Sequence, residues 1–249
     1  MARHGPGMIL LYTDFGYDGP YVGQMKTVLH RMAPGVPVVD IMHDAPVWDP
    51  RRAAYLLAAL ARESEAGDVW LCVVDPGVGG ERLALMLECD GVSFVGPDNG
   101  LFELIYRRLP GARRKAIEWR PAALSATFHG RDLFAPVAAM AASGAEVPGR
   151  YLAPTGGRPG AEWPDDLAEI VYIDAYGNLV TGIAGSALGD NRTIRIASQE
   201  LAHAGTFSAV APGALFWYRN SSGLIEISAN QARADALLGA AIGAAVEVI

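Results

Sequence analysis

Acidic and imidazole side chains stand where several apolar runs of this chain end: Thr13-Asp14 after "MILLY", His43-Asp44 after "VPVVDIM", Asp75 after "DVWLCVV" and Asp98-Asn99 after "SFVGP". A further stretch, "TFHGRDLFAP" at residues 127–136, sets His129 against a glycine, then an Arg-Asp pair, then an apolar run. Taken singly, an Asp at a strand end is more often a helix cap or turn former than a catalyst. Ligands of open parallel sheets, however, bind outside the carboxyl ends of the strands. Four such polar ends on one edge therefore predict a site for a polar ligand. From its own fragment His129 is open to four roles: metal ligand, acid–base group, gate for a small molecule, or turn residue.

The chemistry narrows by what is missing. "DPGVGGER" lacks the Lys-Ser/Thr that grips phosphates in a P-loop, and no G-x-G-x-x-G opens a helix after the first strand. Its glycines read instead as a tight turn that points Asp75 and Arg82 into a cleft. His43, Asp44, Asp75 and His129 supply N and O donors of the kind metals take. No H-E-x-x-H, C-x-x-C or spaced carboxylate set accompanies them, so no catalytic metal is expected. Trp48, in "HDAPVWDP", precedes a helix rather than lying in its apolar stripe, and reads as a loop anchor or as a flat platform for a purine-like ring. His4, His30 and His203 have no polar company in sequence and are expected to do no chemistry.

The elements that must position these residues alternate in type. "MILLYTD" is strand-like, "PYVGQMKTVLHRMAPG" has helical apolar spacing with a Pro-Gly stop, and "VPVVDIM" is a second strand. "WDPRRAAYLLAALARE" follows as a helix, with Asp49 at the cap and Pro50 at the first helical position. "DVWLCVVD" is a third strand, and "LALMLECDGVSFVG" is a hairpin with a D-G turn. This alternation predicts an α/β domain over residues 1–145, with a mostly parallel sheet in Rossmann-like layers. Residues 146–166, dense in Gly and Pro, read as a linker. The short runs "AEIVYID", "NLVTGI", "RTIRIA", "ALFWYRN" and "GLIEISA" predict a small all-β, barrel-like domain over 167–249. A cleft between the two domains is a natural place for a ligand.

Bulk properties exclude several classes. With 249 residues, 51% hydrophobic and 19% charged, the chain can bury a sizeable core. A formal net charge of −7 disfavours nucleic acid as a partner. The basic cluster Arg107, Arg108, Arg113, Arg114 and Lys115 reads as a solvated face around a Pro-Gly turn. Cys72 and Cys89 sit in apolar runs and are expected to be buried, inert thiols in a reducing, cytoplasmic setting. "MARHGPGMILLY" has too short an apolar core for a signal peptide, and no stretch is long enough for a membrane span.

Read together, "YTDFGYDGPYVGQMKT", "HDAPVWDP", "VVDPGVGGER", "GPDNGL", "TFHGRDLFAP", "IDAYGNLVT" and "NSSGLIEI" occur in the order seen in one family. The chain resembles the S-adenosyl-L-methionine hydroxide adenosyltransferases, hydrolases related to the fluorinase and chlorinase enzymes, from Thr13 to about Asn230. The resemblance implies an N-terminal α/β domain, a C-terminal β-barrel domain, and a homotrimer with each substrate held between neighbouring subunits. It implies cleavage of S-adenosylmethionine at C5′ by water or hydroxide, giving adenosine and L-methionine with no cofactor. It maps an Asp-Arg-His triad onto Asp75, Arg82 and His129. It also maps ribose binding onto Asp14, an aromatic wall onto Trp48, the methionine ammonium onto Asp174, adenine onto Asn178 and the methionine carboxylate onto Ser221. Ser222 stands where the halogenating relatives carry Arg, Thr27 where glycine is usual, and Gly182 where asparagine is usual, the last bearing on the C-terminal ligand shell.

Three rival readings have distinct signatures. A halogenase on the same fold would need a small desolvated halide pocket, which a carboxylate at Asp75 opposes. A non-catalytic binding module would return S-adenosylmethionine intact. A metal-dependent phosphoesterase built on the Asp and His residues would fail under exhaustive chelation.

Overall fold

The structure, a computed structural model, describes residues 7–154 and 156–249. The chain divides into two compact units, the first ending at Glu162 and the second beginning at Trp163. His4 lies outside the described residues.

The first unit contains β1 (Ile9–Thr13), α1 (Tyr21–Met32), β2 (Val38–Met42), α2 (Pro50–Leu60), β3 (Val69–Val73), β4 (Ala84–Cys89), β5 (Val92–Pro97), α3 (Glu103–Arg108), β6 (Arg113–Ile117), α4 (Ala135–Ala142) and β7 (Gly149–Tyr151). The strands form one sheet in the order β2-β1-β3-β5-β4-β6-β7. Pairings from β2 to β5 are parallel and those from β5 to β7 antiparallel, so only β4 and β7 run against the rest. Alternation along β1 shows why helices cover both faces. Ile9 and Leu11 face the core shared with α1 and α4, whereas the hydroxyl of Tyr12 reaches the other way to the Ala53 carbonyl of α2 at 2.9 Å.

Local signals account for the boundaries. Asp49 accepts the Arg52 N–H at 3.0 Å and Pro50 takes the first helical position of α2. Asp90 and Gly91 both have positive φ, 49° and 83°, as the two-residue β4–β5 turn requires. Cys72 and Cys89 are buried free thiols, and burial pushes the Cys72 thiol well up.

Two sequence expectations meet different facts here. Arg114 and Lys115 are buried in β6 rather than forming a solvated face. Arg114 escapes the usual rule for charged residues because Asp98 accepts two hydrogen bonds from its Nη2, at 2.8 and 2.9 Å. Within residues 146–166, Gly149–Tyr151 pairs with β6 as an edge strand. Arg158 binds Glu103 at 3.0 Å, holding this stretch to the first unit.

The second unit contains β8 (Leu167–Ile173), β9 (Leu179–Ala184), β10 (Ile194–Ile196), β11 (Gln199–Leu201), β12 (Leu215–Arg219), β13 (Leu224–Ala229), α5 (Ala234–Leu238) and β14 (Glu247–Val248). Its antiparallel sheets have the orders β12-β13-β9-β8 and β11-β10-β14. Single bridges, Glu169 to Ala245 and His203 to Trp217, stitch the sheets at both edges, which gives the barrel-like closure. His203 packs at 4.7 Å on the Trp217 ring and lies 3.9 Å from Asp190, so it has an acidic neighbour that local sequence did not show. His30 is exposed in the last turn of α1.

Candidate active site

Asp75 follows the end of β3, and the chain then folds through successive turns, Val78 N–H to the Asp75 carbonyl at 3.2 Å and Gly80 N–H to the Gly77 carbonyl at 3.0 Å. Gly79 has φ +79°, and a Cβ there would stand 2.4 Å from the Ala126 carbonyl oxygen. Only glycine lets this turn lie on the loop that leads to His129. The turn returns Arg82 to Asp75. Arg82 Nε donates to both carboxylate oxygens, at 2.9 and 3.0 Å, and Nη2 donates to Oδ2 as well. The same Nη2 reaches His129 Nδ1 at 3.0 Å. The side chains of Asp75 and Arg82 are 3% and 11% exposed, and the guanidinium lies 5.2 Å over the Phe134 ring.

This geometry fixes a tautomer. A guanidinium has no acceptor, so the Arg82–His129 bond requires a lone pair on Nδ1, and the proton of the neutral ring sits on Nε2. His129 is held below the usual histidine range, first by burial and then by the Arg82 charge, with Asp75 opposing. Near neutral pH the ring therefore presents an N–H, not a lone pair, on its outer nitrogen. Arg82 Nη1 has no partner among the described residues.

His129 stands at the start of one π-helical turn, residues 130–134, that runs into α4. Such turns recur at functional sites because the extra residue re-aims a side chain. Gly130 is needed there, since a Cβ would meet Met25 Sδ at 3.0 Å and the Phe128 ring at 3.2 Å. The Arg-Asp pair of this stretch is scaffolding. Asp132 accepts the Ser125 N–H at 2.9 Å, and Arg131 binds Asp132 at 2.6 Å and Gln24 at 2.9 Å.

Asp14 lies beside this trio. Burial raises its pKa, and the nearby Asp75 charge adds to the rise against hydrogen bonds from backbone N–H groups. Its Oδ2 accepts the Trp48 N–H at 3.0 Å. Trp48 is 77% exposed and has φ 57°, a left-handed conformation that costs a non-glycine residue roughly 1–2 kcal/mol. The indole is thus largely exposed on a strained backbone whose N–H is held by Asp14.

Other polar strand ends are committed elsewhere. Asp98 is taken by Arg114, and Asn99 ties its own loop to the Val74 carbonyl at 2.8 Å. His43 is fully buried, with Nδ1 2.8 Å from Thr13 Oγ1 and Nε2 3.0 Å from Asp40, while Asp44 is exposed. No group of three or more His, Cys, Asp or Glu among the described residues could hold a metal ion. Phe134 escaped the sequence reading, although it lies five positions after His129 and a π turn brings that spacing onto one face.

In the second unit Asp174 and Asn178 form one closed turn. Asp174 Oδ1 accepts the N–H groups of Tyr176 and Asn178, each at 2.9 Å, and Oδ2 accepts from the Asn178 amide at 2.8 Å. Ser221 is exposed in the turn between β12 and β13. Gly182 faces Leu167, whose Cβ would stand 2.6 Å from an added Cβ, so the missing asparagine reflects close strand packing. Thr27 is exposed on α1 and bonds back to the Gly23 carbonyl at 2.8 Å.

Comparison with known proteins bears on this arrangement. Residues 9–149 match the SAM hydroxide adenosyltransferase N-terminal domain and residues 168–247 match the corresponding C-terminal domain. The chain belongs to the SAM hydroxide adenosyltransferase family. Among its relatives is an (R)-S-adenosyl-L-methionine hydrolase of Thermus thermophilus, 36% identical over 97% of this chain and 99% of that protein. Another of that name, from Salinispora tropica, is 38% identical over 93% of each chain. The crystal structure of an uncharacterized conserved protein from Thermotoga maritima superposes with a TM-score of 0.87 at 29% identity, covering 97% of this chain and 99% of that one. Asp14, Trp48, Asp75, Arg82 and His129 all fall in the family's N-terminal segment, and Asp174, Asn178 and Ser221 in its C-terminal one.

Proposed function

We propose that this protein hydrolyses S-adenosyl-L-methionine at C5′, with solvent oxygen as nucleophile, to adenosine and L-methionine. Membership of the SAM hydroxide adenosyltransferase family and the hydrolase names of its relatives support the reaction class. Those names specify the R sulfonium, and we assign the same preference here. The observation that carries the mechanism is the continuous Asp75–Arg82–His129 contact beside Asp14.

Asp75 fixes the Arg82 fork, Arg82 fixes His129, and both leave N–H groups for an oxygen ligand. One of these groups donates to the attacking oxygen, which keeps a lone pair for C5′ and attacks as hydroxide. The guanidinium charge favours that anion. As the O–C5′ bond forms, the C5′–S pair departs to sulfur, leaving the neutral thioether of methionine. The net reaction releases one proton. A sulfonium needs no acid to leave, so the proposed chemistry takes no metal or redox cofactor. Holding the nucleophile in line contributes up to about 7–11 kcal/mol in favourable intramolecular cases.

Asp14 receives the ribose hydroxyls on the oxygen that Trp48 leaves open, and Trp48 lies against the nucleoside. Asp174 and Asn178 serve the methionine ammonium and adenine, and Ser221 the methionine carboxylate. The working form is a cytoplasmic homotrimer with sites between subunits, which sedimentation at varied concentration tests; no nucleic acid or membrane takes part. No helix among the described residues is long and apolar enough to cross a membrane.

Incubation with S-adenosylmethionine in oxygen-18 water, with and without chloride, tests the reaction by mass spectrometry. Adenosine labelled at O5′ plus methionine is expected. A 5′-chlorinated nucleoside would make the protein a halogenase, and intact substrate a binding module.

A further inference from the structure

His43 is the most buried imidazole of the described residues, yet the proposed chemistry does not use it. It directly follows β2, and its surroundings connect two loops. Thr13 Oγ1 lies 2.8 Å from His43 Nδ1 and itself accepts the Phe15 N–H at 3.3 Å. The Gly16 N–H donates to the His43 carbonyl at 2.6 Å, and the Ala45 N–H donates to the Thr13 carbonyl at 3.1 Å. Asp14 sits in the first of these loops and Trp48 in the second, joined by the Asp14–Trp48 contact. On its far side His43 faces Asp40 at 3.0 Å, which Lys26 of α1 binds at 2.6 Å. The Tyr17 ring closes over the imidazole edge-on at 5.3 Å.

We infer that His43 is a positioning residue for the nucleoside half of the site, acting through Thr13 to hold Asp14 and Trp48 in register. The inference rests on the proposed roles of Asp14 and Trp48 as substrate contacts. Its physical basis is that the Thr13 hydroxyl, in a position that is 0% exposed, has His43 as its one side-chain partner among the described residues, beside the Phe15 N–H it accepts. A buried hydroxyl stripped of its partner seeks another, and the backbone on either side of it moves. The adjacent residue is Asp14, whose open carboxylate oxygen must meet two ribose hydroxyls. Trp48 already sits in a strained conformation and has little else to keep it there. Arg82, Asp75 and His129 hang from other segments, so the attacking oxygen's binding is left in place.

His43→Leu removes both ring contacts, His43→Asn keeps a polar atom near the Nδ1 position, and Thr13→Val removes the hydroxyl at constant shape. For each folded variant we would measure kcat and KM for S-adenosylmethionine, the adenosine Kd by calorimetry, and the melting temperature. Loss of one buried hydrogen bond corresponds to about tenfold in an equilibrium. His43→Leu and Thr13→Val are expected to raise KM and the adenosine Kd about tenfold while kcat stays within about threefold, and His43→Asn to recover most of the affinity. A purely structural role would instead lower the melting temperature and the active fraction with KM and Kd unmoved, and would overturn the inference. If His43→Leu does not fold, Thr13→Val decides alone: wild-type KM and Kd there refute the coupling. Wild-type protein that neither binds adenosine nor releases it would overturn the substrate reading and this inference with it, whereas wild-type turnover with unmoved variants would overturn this inference only.

Discussion

Replacing His129 separates two ways an imidazole can serve an attacking oxygen. As a general base it needs a free lone pair; as a donor it needs an N–H. Arg82 Nη2 takes Nδ1 at 3.0 Å, so the outward Nε2 carries the proton and the proposed mechanism makes His129 a donor. An amide cannot act as a base, but glutamine can place an N–H near the Nε2 position and asparagine cannot. Removing one donor from a developing or bound oxyanion typically costs about 10²–10³ in kcat. His129→Ala and His129→Asn should therefore lose about 10²–10³ in kcat, and His129→Gln only about tenfold. The assay is the initial rate of adenosine formation by liquid chromatography at saturating S-adenosylmethionine, from pH 6 to 9. Because burial and the Arg82 charge lower the His129 pKa, the ring is neutral above its ordinary value of 6.5, and its titration should leave no inflection at or above that pH. Below the lowered value the ring gains a proton on Nδ1, loses the Arg82 contact, and kcat should fall. Glutamine as inactive as alanine, or an inflection above pH 6.5 that vanishes in His129→Ala, would refute the donor assignment.

Asp75→Asn strands a guanidinium that is 11% exposed, and breaking a buried pair of this kind costs about 3–5 kcal/mol, readable as a lowered denaturant midpoint; a coincident unfolding curve would show the pair to be dispensable. Asp14 must be ionised to accept ribose hydroxyls, and its pKa is raised by burial, so KM should climb as pH falls through a value above 3.8, and Asp14→Asn should show a high KM without that dependence. Trp48→Gly relieves a left-handed φ at an exposed position, so the melting temperature should hold or rise while KM increases; a destabilised variant with unchanged KM would return Trp48 to the status of an anchor.

How much of this was legible in the sequence depends on how locally each feature is determined. The β4–β5 turn was readable because Asp90-Gly91 is nearly sufficient for two positive φ values, and α2 because Asp49-Pro50 supplies both a cap and a first turn. α4 was not assigned: residues 135–139 are all buried between α1 and the sheet, so no polar face marks a 3.6-residue period. β7, β11 and β14 span two or three residues each, too few for alternation to register. β6 hid for a different reason. Its charged residues suggested solvent, and the carboxylate that buries Arg114 is Asp98, on another strand's end.

The same limit governs the site. Asp75 and Asp98 follow neighbouring strands of one sheet, and each binds an arginine with both oxygens, in pairs of similar burial. Neither residue type, strand position nor burial tells them apart. What differs is the third partner. Arg114 gives Nη2 to both Asp98 oxygens, lies 5.9 Å from the Tyr106 ring, and makes no hydrogen bond to an imidazole among the described residues. Arg82 extends past its carboxylate to His129, a residue 47 positions on, and the pair becomes a trio with outward N–H groups. The sequence marked Asp75 and Arg82 as turn-mates and left His129 with four possible roles. Only the family's motif order joined them before the fold was known. Their contact depends on Gly79 letting one loop lie on another, a packing fact that no spacing along the chain expresses. An Asp–Arg pair at a strand end is thus a scaffold by default, and the proposed reading gives this one chemistry because His129 joins it and leaves outward N–H groups.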